Sequence, residues 1–164
     1  MGFNMEQGKI RVFCGCGQGK TSMAIGRAVL AANQGKSVIM IQFLKGKLKL
    51  SDHIMKRLEP EIKVFRFEKY ETCYRDLTDE QKEEEAMNIR NALNFAKKVM
   101  GTGEGDLVIL DEVLALVDLG IVTVEELIRI LESKDDGVEV IMTGQVFPEG
   151  MGSCVDDVVK VEIG

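Results

Sequence analysis

Short, nearly continuous apolar runs alternate along this chain with segments of helical periodicity. Apolar runs between turn residues predict strands buried on both faces, and apolar residues three or four positions apart predict helices that cover them. The pattern predicts strands at residues 10–14, 37–43, 62–67, 107–112, 138–144 and 158–163, and helices at residues 20–33, 52–58, 79–100, 113–119 and 124–131. We therefore expect an α/β fold with a mostly parallel sheet and helices on both faces.

Local signals support several of these boundaries. Thr78 and Gln81 have capping-box spacing, as do Thr123 and Glu126, and Gly35 is suited to end the first helix. Residues 62–67 alternate apolar and basic side chains, which predicts a less buried strand near an edge of the sheet. Residues 83–85 are three consecutive glutamates, and we expect them to lie on the exposed first turns of the long helix.

Size and charge limit the classes of protein to which the chain can belong. Its 164 residues with 45% hydrophobic content suit a single domain over residues 1–164. The net charge of -6 argues against a nucleic-acid partner held by phosphate contacts. No apolar run is long enough to span a bilayer, and the first residues lack a signal-peptide pattern, so we expect a soluble cytoplasmic protein with no membrane partner.

The cysteines and the single histidine exclude several kinds of site. The four cysteines, at positions 14, 16, 73 and 154, have neither zinc-site spacing nor the density of a disulfide scaffold, so reduced thiols are expected. His53 is the one histidine, which excludes a multi-histidine metal site.

A glycine-rich turn joins the first strand to the first helix and predicts a phosphate-binding loop. Gly15, Gly17 and Gly19 allow backbone N–H groups to point inward, and the sequence continues with Lys20 and Thr21. Lys20 would contact the outer phosphates and the Thr21 hydroxyl would bind their Mg²⁺. The usual phosphate-loop spacing places a glycine where this chain has Cys14, so the loop is of an unusual subtype.

A second chemical feature is the acidic pair Asp111 and Glu112 at the end of a predicted buried strand. The carboxyl ends of parallel strands are where open α/β sheets bind ligands, and carboxylates there can hold Mg²⁺. The alternative is that the pair caps the predicted helix at 113–119. The phosphate loop in the same sheet favours the metal interpretation.

Four segments, residues 15–22, 42–46, 108–112 and 140–144, together resemble the corrinoid adenosyltransferase family that acts on cob(I)alamin and cob(I)yrinic acid a,c-diamide. The resemblance covers nearly the whole chain. The family loop reads T-G-x-G-K-G-K-T-T, so its glycines match positions 15, 17 and 19 and account for the irregular spacing at Cys14.

The resemblance implies a fold, a reaction and a set of site residues. The fold is a single-domain P-loop NTPase-like (RecA-like) sheet. In the reaction, a reduced corrinoid attacks C5′ of ATP and expels triphosphate, with Mg²⁺ or Mn²⁺ as cofactor, a flavoprotein as reductant and a homodimer as the assembly. The implied catalytic residues are Lys20, Thr21 and Glu112, and the implied metal ligands are Thr21, Asp111 and Glu112. The implied ATP- and corrinoid-binding residues are Gly15, Cys16, Gly17, Gln18, Gly19, Lys20, Thr21, Ser22, Gln42, Lys45, Tyr70 and Tyr74.

The chain departs from the family pattern at several positions. Cys16 and Gln18 replace an asparagine and a lysine in the loop, and Gln145 replaces an arginine, which predicts weaker contacts with ATP. The aromatic segment at the corrin face has no tryptophan here; Phe67, Tyr70 and Tyr74 lie in that region. These aromatic residues either contact the corrin or pack in the core.

Two other functions fit the loop and the acidic pair. One is an ATPase or kinase of the same architecture, in which Glu112 orients a water or an acceptor. The other is a nucleotide or corrinoid sensor without catalysis. Lysines at positions 45, 47 and 49 attract anions or belong to a solvated loop.

Overall fold

The computed structural model describes residues 7–44 and 52–164, and of residues 52–54 it describes the backbone alone. Six strands form one sheet in the order β3-β2-β4-β5-β1-β6, and every described pairing is parallel. The strands are β1 Ile10–Cys14, β2 Val38–Gln42, β3 Ile62–Arg66, β4 Leu107–Asp111, β5 Glu139–Thr143 and β6 Asp157–Lys160.

Helices cover both faces of this sheet. They are α1 Lys20–Asn33, α2 Asp52–Arg57, α3 Asp79–Thr102, α4 Ala115–Asp118 and α5 Val124–Glu132. One hydrophobic cluster joins α1 to the sheet through residues such as Ala24 and Phe13. The other joins α3 and α5 to the opposite face and includes Val12. Val12 and Phe13 are consecutive and fully buried on opposite faces, as the period of a strand requires.

The parallel sheet brings the polar residues that end its strands together on one side. Because β1, β2, β4 and β5 run in the same direction, their carboxyl ends lie side by side. Gln42 and Asp111 are register partners at the ends of β2 and β4, and Phe13 is the partner of Thr143 at the ends of β1 and β5. The loop after β1 therefore meets the acidic pair after β4 across the end of β5.

The predicted α/β fold class is confirmed: the sheet is parallel and has helices on both faces. β3 is an edge strand, as its alternating pattern predicts. Both capping boxes form, with Gln81 N donating to Thr78 Oγ1 at 3.2 Å and Glu126 N donating to Thr123 Oγ1 at 3.1 Å. The helix predicted at residues 113–119 is shorter and spans only Ala115–Asp118.

The lysines at positions 45, 47 and 49 lie outside the described residues. Within the described ranges, no helix is both long enough and apolar enough to cross a membrane.

Candidate active site

The loop between β1 and α1 is held against the ends of two neighbouring strands. Gly15 N donates to Gln145 O at 2.9 Å, and Gly17 N donates to Val161 O at 3.0 Å. A Cβ at Gly15 would lie 2.3 Å from Val161 O, and one at Gly17 would lie 2.9 Å from Val161 Cγ1. These two glycines therefore shape the loop through close backbone packing, and their own N–H groups are committed to backbone carbonyls.

Gly19 is the glycine of the loop that is not packed against a neighbouring strand. Gly19 has a φ of 104°, and a Cβ there would have no neighbour within 4 Å. Gly19 is also the N-cap of α1, where no side chain caps the helix and no acidic residue lies in the first turn. The first N–H groups of a helix have no partner within the helix, so this open terminus suits an anion. Cys16, Gln18 and Ser22 are exposed along the same segment.

Lys20 lies inside the loop. Its ammonium donates to Gly15 O at 2.7 Å and to Gly17 O at 2.8 Å, and the residue is buried. An ammonium has three protons, so it can hold the loop by two of them and donate the third to a phosphate oxygen.

Asp111 is the centre of a hydrogen-bond network that joins three strands to α1. Its carboxylate is fully buried and accepts from Thr21 Oγ1 at 2.9 Å, from Thr143 Oγ1 at 2.7 Å and from Gln42 Nε2 at 3.3 Å. Arg66 Nε in turn donates to Gln42 Oε1 at 2.8 Å, which orients the Gln42 amide. The predicted association of Thr21 with Asp111 is therefore present across 90 residues of sequence.

Glu112 has an unusual backbone conformation for a residue with a side chain. Its φ is 64°, in the left-handed region that costs non-glycine residues about 1 kcal/mol or more, and such strain is concentrated at functional sites. Glu112 N donates to Thr143 Oγ1 at 2.8 Å, which stabilises this turn. The N-cap of α4 is Leu114, so the alternative that the acidic pair caps this helix is wrong.

The oxygen atoms at this point are suitable ligands for Mg²⁺. Thr21 and Asp111 already lie together, and Glu112 follows at the strand end. Residues 7–44 and 52–164 contain no group of three or more His, Cys, Asp or Glu side chains that could hold a metal alone. One hydroxyl and one or two carboxylates, with phosphates and water completing the shell, is how proteins commonly bind Mg²⁺, so the donor set fits that ion.

A cleft of about 180 Å³ lies next to this network, beyond the ends of β2 and β3. Gln42 lines the cleft and also contacts Asp111, so the cleft and the phosphate loop share a wall. Tyr70 and Tyr74 line it as well. Tyr70 Oη donates to Glu84 Oε2 at 2.7 Å, and this hydrogen bond raises the pKa of Tyr70 and lowers the pKa of Glu84.

The aromatic residues of this region separate into two roles. The Phe67 ring centroid lies 5.6 Å from that of Phe95, which also packs at 4.8 Å from Phe65. Phe67 therefore belongs to the core. Tyr74 packs against the same cluster but also faces the cleft, and Tyr70 faces the cleft.

The expectation that all three glutamates at residues 83–85 are exposed is wrong for Glu85. Glu85 is buried and accepts from Lys69 N at 2.9 Å, from Tyr70 N at 3.4 Å and from Asn88 Nδ2 at 2.9 Å. These bonds fasten the segment after β3 to α3 and so shape one wall of the cleft. An acidic residue near a helix start gives no local signal that a distant loop will cover it.

Sequence reasoning also missed Thr143 and Arg66 as members of the Asp111 network, and Glu68 as a residue that lines the cleft. Thr143 is fully buried between Asp111 and Glu112, and Arg66 orients Gln42. Thr143 and Arg66 end strands β5 and β3. The signal that could have found these two is therefore a polar residue at the carboxyl end of a parallel strand.

A family model and two curated relatives match most of this chain. A family model described as ATP:corrinoid adenosyltransferase BtuR/CobO/CobP matches residues 6–163. The chain is 31% identical over 140 residues to the corrinoid adenosyltransferase of Escherichia coli K12, and the match covers 85% of this chain and 69% of that protein. It is 23% identical over 164 residues to the corrinoid adenosyltransferase of Pseudomonas aeruginosa, covering 96% and 76%.

A solved structure, replication initiator DnaA bound to AMPPCP and single-stranded DNA, matches with a TM-score of 0.42 and 17% identity. The match covers 96% of this chain and 41% of that one.

Proposed function

This chain belongs to the ATP:corrinoid adenosyltransferase family, and we propose that its phosphate loop and acidic pair bind ATP with the triphosphate positioned as the leaving group. The reaction transfers the 5′-deoxyadenosyl group of ATP to the Co(I) centre of a reduced corrinoid. The observation that carries the residue assignment is the hydrogen bond between Thr21 and Asp111, which joins the loop to the acidic strand end.

The proposed contribution of the protein is to position the reactants and stabilise the departing charge. Co(I) is itself the nucleophile, so no side chain has to act as a general base. The triphosphate leaves with several negative charges, and preorganised donors lower the cost of that charge where it develops. The N–H groups from Gly19 onward and the ammonium of Lys20 are such donors.

We propose that Mg²⁺ is held by the Thr21 hydroxyl and the Asp111 carboxylate, with Glu112 completing its shell. When bound, the ion would neutralise part of the phosphate charge. Thr143 holds Asp111 through its hydroxyl, and Gln42 holds the other carboxylate oxygen through its amide. The carboxylate is therefore oriented by the protein and is not free to rotate.

The acceptor is proposed to bind over the cleft beside Gln42, with one edge of its ring and the side chains of that edge in the cleft, because a whole corrinoid is larger than the cleft. Attack at C5′ requires the corrinoid to lie next to the nucleotide, and this cleft shares Gln42 with the Asp111 network. Tyr70 and Tyr74 provide aromatic surface there. Lys45 is proposed, from the family resemblance alone, to contact one of the substrates. The family assignment replaces the two alternatives, a phosphate-transferring ATPase or kinase and a sensor without catalysis.

Four further properties are proposed from the family resemblance. We propose that residues 1–164 act as one ATP-binding domain, that the chain forms a homodimer, that a flavoprotein supplies the electron for Co(I), and that the protein is cytoplasmic. Sedimentation analysis tests the dimer, and reconstitution with a reduced flavoprotein tests the electron source.

The residue assignment is tested by removing one positive charge at each of two positions. Lys20→Met removes the ammonium inside the loop. Lys36→Met removes one exposed ammonium just before β2, at the amino-terminal ends of the strands and away from the loop. We expect Lys20→Met to lower kcat/KM for ATP by about 100-fold or more, as losing one preorganised donor commonly does. Lys36→Met should retain the wild-type value. Full activity of Lys20→Met would contradict the assignment.

A further inference from the structure

One carboxylate in the acceptor cleft has no part in the chemistry described so far. Glu68 follows β3 and lines the cleft together with Gln42 and Tyr70. It is partly buried, and its Oε1 accepts a hydrogen bond from Leu44 N at 3.0 Å. This bond joins Glu68 to the residue that follows β2 by two positions, so the carboxylate is held at the boundary between the cleft and the Asp111 network.

The surroundings of Glu68 favour a hydrogen-bond donor and disfavour more negative charge. Burial raises the pKa of Glu68, and the charge of Glu85 adds to that rise, while backbone N–H bonds, including that of Leu44, and the charge of Arg66 oppose it without cancelling it. A carboxylate that is poorly hydrated gains when a bound ligand supplies an N–H group, and it repels a ligand carboxylate placed beside it.

Cationic side chains of the cleft are engaged with protein atoms. Arg66 donates through Nε to Gln42, and Lys69 pairs with Glu84 at 3.1 Å. Glu85, by contrast, is buried and already accepts three hydrogen bonds, from Lys69 N, Tyr70 N and Asn88 Nδ2. Glu71 also lines the cleft but is exposed to solvent, whereas Glu68 is partly buried. Glu68 is therefore the partly desolvated acidic group that can meet a peripheral side chain of the acceptor.

We propose that Glu68 makes this cleft selective for corrinoids whose peripheral side chains are amides over corrinoids that carry free carboxylates. An amide offers N–H donors to the Glu68 oxygens, whereas a carboxylate would add a like charge at a partly desolvated position. This inference rests on the proposed function, because it requires the acceptor to lie in the cleft. It assigns a substrate class to the site and a specificity role to one residue.

The test compares two acceptors in one assay. Cob(I)inamide, which is amidated around the ring, and cob(I)yrinic acid a,c-diamide, which retains carboxylates, are each reduced anaerobically and mixed with MgATP. We expect wild-type protein to have a kcat/KM at least tenfold higher for cobinamide. Glu68→Gln, which keeps the size and loses the charge, should reduce that ratio at least fivefold, chiefly by lowering KM for the carboxylated acceptor.

Three measurements make the result decisive. Glu68→Asp retains the charge and should retain the preference for the amidated acceptor. Glu83→Gln removes the same charge from an exposed position of α3 and should leave the ratio unchanged. The KM for ATP should match wild type in all variants, which shows that they are folded.

The inference is overturned if wild type prefers the carboxylated acceptor, or if Glu68→Gln changes the ratio by less than twofold while both corrinoids are adenosylated. If wild type adenosylates neither corrinoid, the proposed function itself fails, so the two failures are distinguishable.

Discussion

Replacing Thr143 with valine tests the network that holds the acidic pair. Thr143 is fully buried at the end of β5; its hydroxyl donates to Asp111 at 2.7 Å and accepts from Glu112 N at 2.8 Å. Valine has the same shape but cannot make either hydrogen bond. One substitution therefore removes one of the hydrogen bonds that orient the buried carboxylate, and the bond that stabilises the left-handed turn at Glu112.

The magnitude follows from the two lost bonds. A hydrogen bond to a charged group contributes about 1.5–3 kcal/mol, and an N–H left without a partner costs about 1–3 kcal/mol when buried. Glu112 is only partly buried and valine adds an apolar methyl group, so we expect the lower part of this range, about 3 kcal/mol in total. That is a large share of the roughly 5–15 kcal/mol by which a domain is stable.

Thr143→Ser is the matched control, because it retains the hydroxyl and loses only a methyl group. We expect it to cost about 1 kcal/mol. Urea unfolding measures the free energy of unfolding of each variant. The Mg²⁺ concentration needed for half-maximal adenosylation measures how well the Asp111 carboxylate is positioned to bind the ion. The valine variant should need about 10- to 100-fold more Mg²⁺, the usual effect of removing a residue that orients a metal ligand. The reasoning is refuted if the valine variant is as stable as the serine variant and has the same Mg²⁺ dependence.

Three further predictions use other parts of the site. Gly17→Ala should destabilise the protein by about 1–3 kcal/mol and raise KM for ATP, because the new Cβ would lie 2.9 Å from atoms of Val161. Gly26→Ala is the control: it lies in the open middle of α1, so it should stabilise the helix by about 0.5–1 kcal/mol and raise Tm. Cys16 in the loop and Cys73 beside the cleft are both exposed, so each can be labelled with maleimide in a single-cysteine variant. MgATP should slow the labelling of Cys16, and a corrinoid should slow the labelling of Cys73; equal protection of both cysteines by either ligand would contradict two separate subsites. Burial raises the pKa of Glu68 in the folded protein above its unfolded value of 4.5, so ionising Glu68 destabilises the fold at high pH, and this cost is absent below pH 4.5. Glu68→Gln should therefore increase the free energy of unfolding at neutral pH, and the increase should disappear as the pH falls towards 4.5.

The bounds of the first strand and helix could be predicted from the sequence because their signals are local. An apolar run followed by closely spaced glycines and Gly19-Lys20-Thr21 defines a strand, a turn and a helix start, and the structure places β1 and α1 at residues 10–14 and 20–33 as predicted. Both capping boxes are likewise local patterns of four residues. The association of Thr21 with Asp111 was predictable for another reason: parallel strands bring their carboxyl ends together.

The roles of Glu85 in the wall of the cleft and of Thr143 beside Asp111 could not be predicted in this way. Glu85 has the sequence context of an exposed first-turn acid, and its burial depends on the segment around Lys69 folding back over α3. Thr143 is a threonine at a strand end until β4 places Asp111 beside it. Each of these residues acquires its role from a partner at least fifteen positions away, and periodicity along the chain carries no information about such a partner.

Product analysis of a single anaerobic reaction tests the central claim most directly. Wild-type protein, a reduced corrinoid and MgATP are incubated in the dark, and the phosphorus products are resolved by ³¹P NMR while the corrinoid spectrum is recorded. The account predicts inorganic triphosphate in equal amount to a light-sensitive alkylcobalt product, because the loop holds the whole triphosphate as the leaving group. ADP with inorganic phosphate, and an unchanged corrinoid spectrum, would contradict it.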